Sequence, residues 1–155
     1  MQVGRSGQIE MNAQTRVRNW VNESRDDLLL PVRALLCSPF IVSGISKALD
    51  FPGTVAEVRS LAGIEPASLF ALLVILIQLG GALLLVLGGR GAWVGTTLLI
   101  GFTIVATFLA HPFWLREGTE RVRDFNIFWE HVGLVAGLLL AALTLRTAPR
   151  LGNRE

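Results

Sequence analysis

Hydrophobic positions gather in four stretches of this chain. Between Pro66 and Gly89, 24 consecutive positions carry no Asp, Glu, Lys or Arg, and between Gly91 and Leu115 another 25 carry none. Each run exceeds the roughly 18–20 apolar residues that cross a hydrocarbon core as a helix. Two further runs are interrupted: one contains Arg33 and Lys47, the other Glu130 and His131. These ionisable groups fall toward helix ends, where long side chains reach the interface. The pattern predicts four transmembrane helices near Leu28–Leu49, Ala67–Leu87, Ala92–Ala110 and Phe125–Leu145. The short Gly88-Gly89-Arg90-Gly91 connection makes the second and third an antiparallel hairpin.

Local signals refine the picture. Pro39 lies inside the first span and lacks a backbone donor, so the carbonyl of Leu35 loses its partner and a kink is expected, with Ser38 and Ser43 near enough to compensate. The segment Asp50–Pro66 opens on Phe51-Pro52-Gly53, a turn signal. Val55, Val58 and Leu61-Ala62 then recur at helical spacing, which predicts a short amphipathic helix on the outer surface. Residues 12–27 put Val17, Trp20 and Val21 on one face, as an interfacial helix would.

Composition agrees with the membrane reading: 52% of residues are hydrophobic, 17% are charged and mean hydropathy is +0.54, where soluble domains carry about 25% charge. The single cysteine, Cys37, excludes an internal disulfide, a paired redox motif and a thiolate-rich metal cluster. With a net charge of only +2 and dispersed basic residues, nucleic acid is not an expected partner; the lipid bilayer is. Residues 1–27 are polar, and no cleaved signal peptide is expected from them. With both ends cytoplasmic, the inner side holds Arg5, Arg16, Arg18, Arg25, Arg33, Arg90, Arg146, Arg150 and Arg154, against Lys47, Arg59, Arg116, Arg121 and Arg123 outside. The bias favours N-in, C-in. Trp20 and Trp93 then mark the inner interface, Trp114 and Trp129 the outer one. The fold class expected is an all-α integral membrane four-helix bundle: a cytoplasmic segment 1–27, a transmembrane domain 28–146 and a cytoplasmic tail 147–155.

Small and polar residues locate the expected helix contacts, because association in lipid depends on close backbone approach and polar bonds. The glycines selected on this ground are Gly44, Gly81, Gly91, Gly95, Gly133 and Gly137. Glu130 shares a helical face with Gly133 and Gly137, and Asn126 lies four residues before it. The third span aligns Thr96, Thr103, Thr107 and His111 in one narrow sector. Depth along the spans brings Lys47, His111 and Glu130 to one level on the outer side, with Gln78 near mid-membrane. An apolar environment favours pairing among such groups, so Lys47, Gln78, His111, Asn126 and Glu130 form the candidate site, with Glu130–Lys47 as the expected ion pair. The same pair can instead simply fix helix register, and Gln78 can be interhelical glue. No nucleophile–base pair or nucleotide loop is visible. Haem clamped by His111 and His131 is disfavoured, and no metal site is expected, since adjacent helix positions such as Glu130 and His131 diverge by about 100°.

In order and spacing the chain resembles the DoxX family of small bacterial four-helix inner-membrane proteins. The resemblance rests on Val32-Arg33-Ala34 leading to Phe40-Ile41-xx-Gly44-xx-Lys47, then the Phe51–Pro66 segment ending Gly63-Ile64-Glu65-Pro66. It continues through Ile77-Gln78-Leu79-Gly80-Gly81, Leu87-Gly88, Phe108-Leu109-Ala110-His111 and Asn126-Ile127-Phe128-Trp129-Glu130-His131-xxxxx-Gly137-Leu138-Leu139. Two positions depart from the family: Gln78 stands where a glutamate is usual, and Glu130-His131 where a Lys-Asn pair is frequent. Titration of a helix-two carboxylate therefore cannot occur in this chain. The family looks like part of a larger group including the DoxD subunit of a thiosulfate:quinone oxidoreductase and the MauE proteins of redox maturation. That resemblance implies an accessory membrane subunit of a redox or sulfur-related system, with quinone as the implied cofactor and a redox protein or a second copy of the chain as partner, rather than an enzyme by itself. The competing readings are a structural or assembly module and a small-solute carrier.

Overall fold

The computed structural model describes residues 5–144. In order these form α1 (Arg5–Leu49), α2 (Phe51–Ala62), α3 (Ala67–Leu87), α4 (Gly91–Ala110), a short 3-10 turn (Phe113–Leu115) and α5 (Gly118–Leu143). The described residues contain no strand, and four helices are long and apolar enough to cross a membrane: Leu29–Leu49, Ala67–Leu87, Gly91–Leu115 and Gly118–Leu143. The chain is an all-α integral membrane protein.

Residues 12–27 and the first span are not separate helices; both belong to α1. From Gln8 to Leu30 there is neither glycine nor proline to end a helix. The chain divides into two compact units between Val32 and Arg33. The side chains of Val17, Trp20 and Val21 and the tail 147–155 lie outside what the structure describes.

Within the unit that begins at Arg33, four helices pack in a ring. α3 lies against α4, and α4 against α5. α1 closes the ring on both sides: a Cβ built on Gly44 would come within 2.7 Å of Leu79 of α3, and one on Gly137 of α5 within 3.1 Å of Leu36. The tightest approach is between α3 and α4, where a Cβ on Gly95 would meet the carbonyl oxygen of Gly81 at 2.5 Å and Leu84 Cβ at 2.9 Å. Without side chains at Gly81 and Gly95 the two backbones reach van der Waals contact, the contribution that dominates helix association in lipid. Cys37, Phe40, Ala82, Leu85, Ala92, Leu99, Leu138 and Ala142 fill the core.

Local chemistry explains the ends and the interruption. Ser38 Oγ donates to the Leu35 carbonyl at 2.8 Å, the acceptor that Pro39 leaves free. The Phe51-Pro52-Gly53 sequence, which reads as a turn, is instead the first turn of α2. Asp50 caps it by accepting from the Gly53 amide at 3.0 Å, and proline is tolerated where amides have no helical partner. Gly63, at φ 62°, ends α2 in the left-handed conformation, its amide bonded to the Arg59 carbonyl. The buried Thr54 hydroxyl lies 3.0 Å from the carbonyls of both Lys47 and Asp50, tying α2 to the end of α1.

α5 starts seven residues before the expected fourth span, and its inward face also differs from expectation. The buried residues Asp124, Leu138 and Ala142 define that face, and Phe128, His131 and Val135 follow from Asp124 at i+4, i+7 and i+11. Asn126 and Glu130 are rotated away and exposed, as is Gly133, beside which nothing lies within 4 Å of a built Cβ. Among the described residues Gly133 meets no other helix, whereas Gly44, Gly81, Gly91, Gly95 and Gly137 each have a neighbour within 3.1 Å of that position.

Candidate functional site

The residues singled out from the sequence separate into two polar groups rather than one. Lys47, at the last turn of α1, forms an ion pair with Glu57 of α2, not with Glu130. The expected partner faces outward on α5, while α2 folds back over the end of α1 and supplies a nearer carboxylate. Gln78 is buried at the middle of α3 and donates from Nε2 to Ser43 Oγ of α1 at 3.1 Å; its Oε1 is buried without a partner. That bond joins α1 to α3 beside Gly44, one helical turn before Lys47.

The first group caps a groove. α2, α3 and α4 enclose about 440 Å³ of almost wholly apolar space, within the 300–1,000 Å³ range of ligand sites. Phe70, Val74, Ile77, Phe102 and Val105 line its body, and Gly101 lies in its wall with open space beside its Cα. Lys47, Thr54 and Glu57 stand at its polar part. The Thr54 hydroxyl is already committed to backbone carbonyls, so Lys47 and Glu57 supply the available polar chemistry. An ammonium has three donors and Glu57 takes one, leaving two N–H groups to offer a neutral acceptor. The pair carries no net charge.

The second group joins α4 to α5. Asp124 is 1% exposed, and its carboxylate lies 3.5 Å from His111 Nδ1, 3.4 Å from Arg123 Nε and 3.5 Å from Arg116 Nε. These are long contacts for hydrogen bonds; three cationic or ionisable groups surround the carboxylate without gripping it. The ring of His111 meets that of His131 edge-on, with centroids 5.5 Å apart. His131 Nδ1 lies 2.8 Å from Thr107 Oγ1, and Thr107 and Thr103 each bond back to the carbonyl four residues earlier. Phe108, Phe113, Trp114, Phe125, Phe128 and Trp129 surround this end of α4 and α5.

The candidate site expected from the sequence includes none of Glu57, Asp124 and His131, and it lacks Thr54, Thr107, Arg116 and Arg123 as well. Glu57 lies on α2, whose docking onto α1 no periodicity reveals. Asp124 and His131 are seven residues apart and therefore share a face, a signal available in the sequence but overshadowed by the glycine pattern of the neighbouring face. Among the described residues no three His, Cys, Asp or Glu side chains are arranged to hold a metal ion.

Outside the spans, Arg59 and Glu65 brace the α2–α3 connection. Arg59 Nε donates to Glu65 Oε1 at 2.5 Å, and Glu65 Oε2 accepts from the Ala67 amide at 2.8 Å, capping α3. The bond from Arg59, then that from Ala67, hold the Glu65 carboxyl below the ordinary carboxylate range.

Four spans, a helix α2 folded over the end of α1 and an apolar groove of ligand size define a small multi-pass membrane bundle. The DoxX family model matches residues 28–112. The inner membrane protein YphA of Escherichia coli (strain K12) is 30% identical over 121 residues, covering 78% of this chain and 85% of YphA. The chain belongs to the DoxX family and is a multi-pass inner-membrane protein. No solved structure matches it.

Proposed function

We propose that the protein is an accessory, non-catalytic membrane subunit of a redox or sulfur-related system, linked to it through a quinone held in the groove between α2, α3 and α4. The observation that carries this reading is the union of an apolar groove of about 440 Å³ with a neutral Lys47–Glu57 pair. A quinone has the matching form: an isoprenoid chain for the apolar walls and an uncharged ring whose carbonyls accept from Lys47. An anionic headgroup would meet Glu57 as well as Lys47, and a hydrocarbon chain alone would leave the ammonium's remaining donors unused.

The test is extraction of the detergent-purified protein followed by identification of its lipophilic contents. Stoichiometric quinone in the wild type, reduced several-fold by Lys47→Met, supports the reading; phospholipid alone, or quinone content unchanged by that substitution, contradicts it. A second reading, an assembly module without redox role, is favoured by the outward face of α5, where Glu130 and Gly133 are exposed. On that reading Gly133→Leu abolishes association with a second copy or a redox protein partner, as seen by crosslinking in membranes, and Glu130→Gln and Lys47→Met do not.

A further inference from the structure

The hydrogen bonding of Thr107 determines the chemistry of His131. A hydroxyl carries one proton. Thr107 Oγ1 lies 2.5 Å from the Thr103 carbonyl oxygen, which can only accept, so the hydroxyl proton is placed there. Toward His131 Nδ1, at 2.8 Å, Thr107 Oγ1 offers only lone pairs. Nδ1 must then carry the proton, and in the neutral ring Nε2 is left as a bare acceptor. Among the described residues no protein group donates to Nε2. Thr107 is buried, so water does not readily disturb the arrangement.

His131 also lines a second, smaller crevice between α4 and α5, of about 140 Å³, with Ile104, Thr107, Phe108, Phe128 and Val135. An enclosed apolar cavity of about 150 Å³ holds a single benzene ring, so the crevice has the volume for one ring. The rings of Phe108 and Phe128 meet edge-on at 5.9 Å and offer aromatic surface. We infer that this crevice binds one aromatic ring bearing a hydroxyl, of the phenol or hydroquinone class, which donates its O–H to His131 Nε2 while the ring packs against Phe108 and Phe128. The inference concerns residues of α4 and α5 that take no part in the groove, and it does not depend on what the groove binds.

The experiment compares 4-butylphenol with 4-butylanisole, of closely similar shape but without the donor, by equilibrium binding to the full chain in detergent. One hydrogen bond at such a site corresponds to a preference of about fivefold to tenfold for the phenol. His131→Phe should remove the preference, Thr107→Val should weaken it by freeing the tautomer, and Thr107→Ser should retain it. Gly101→Leu, in the groove, should leave it intact. Equal binding of phenol and ether, binding of neither, or a preference that survives His131→Phe overturns the inference. Nitrogen NMR of ring-labelled wild-type protein provides a check free of substitutions: Nδ1 protonated and Nε2 bare is the expected spectrum, and a proton on Nε2 in the neutral ring contradicts it.

Discussion

Gln78 donates from its amide to Ser43, and the cost of removing that bond is measurable. Interhelical hydrogen bonds in membranes contribute about 0.6 kcal/mol on average and at most about 1.7 kcal/mol. Ser43→Ala should therefore destabilise the bundle by about 0.6 kcal/mol, read by unfolding in mixed micelles. A loss above the stated maximum would mean that Gln78 supports more than this contact. Individual residues were legible where the partner was local in sequence. Ser38 rescues the Leu35 carbonyl because both sit within one turn of Pro39. Lys47 was legible as a group in need of a partner, but not its partner, because Glu57 reaches it only through the fold-back of α2.

At the scale of elements, two glycines on the same selection should behave oppositely. Gly95→Ala drives a methyl into the Gly81 carbonyl, and overpacking of this kind costs about 1–3 kcal/mol. Gly133→Ala meets nothing and should be neutral or stabilising by up to about 1 kcal/mol through helix propensity. Thermal unfolding in detergent distinguishes the two. Of the two glycines that mark one face of α5, Gly137 meets Leu36 of α1 and Gly133 lies in open space. Asp124, buried at the start of the same helix, orients it, and a charged residue ahead of the apolar run reads as a flank rather than as an inward group. The α2–α3 connection should respond to acid. Because Glu65 has a lower carboxyl pKa folded than unfolded, its bonds to Arg59 and Ala67 contribute fully above its ordinary value of 4.5 and are lost as pH falls through the lowered value. Both side chains are exposed, so the effect is local. Hydrogen exchange at the Ala67 amide, corrected for intrinsic rate, should accelerate on acidification in the wild type and show no such transition in Glu65→Gln.

For the whole molecule, the hydrophobic runs alone specify four spans, because hydrocarbon thickness fixes their length. The groove was not legible, since it depends on how far α2 stands from α3 and α4. The Lys/Arg bias predicts an orientation with α2 outside. In a Cys37→Ser background, cysteine at the exposed Ser60 of α2 should react with a membrane-impermeant maleimide from the periplasmic face. Labelling only after disruption of the membrane would reverse the topology. For the quinone proposed in the groove, Gly101 offers the most direct test. A side chain there meets nothing within 4 Å and projects from the groove wall, so Gly101→Leu fills the site without disturbing backbone packing. The decisive quantity is the moles of quinone retained per mole of purified protein, measured for wild type and Gly101→Leu at equal thermal stability. Near-stoichiometric quinone in the wild type and a loss of about tenfold or more in the variant, the equivalent of about 1.4 kcal/mol, is the expected result; equal retention by the two proteins would contradict the account.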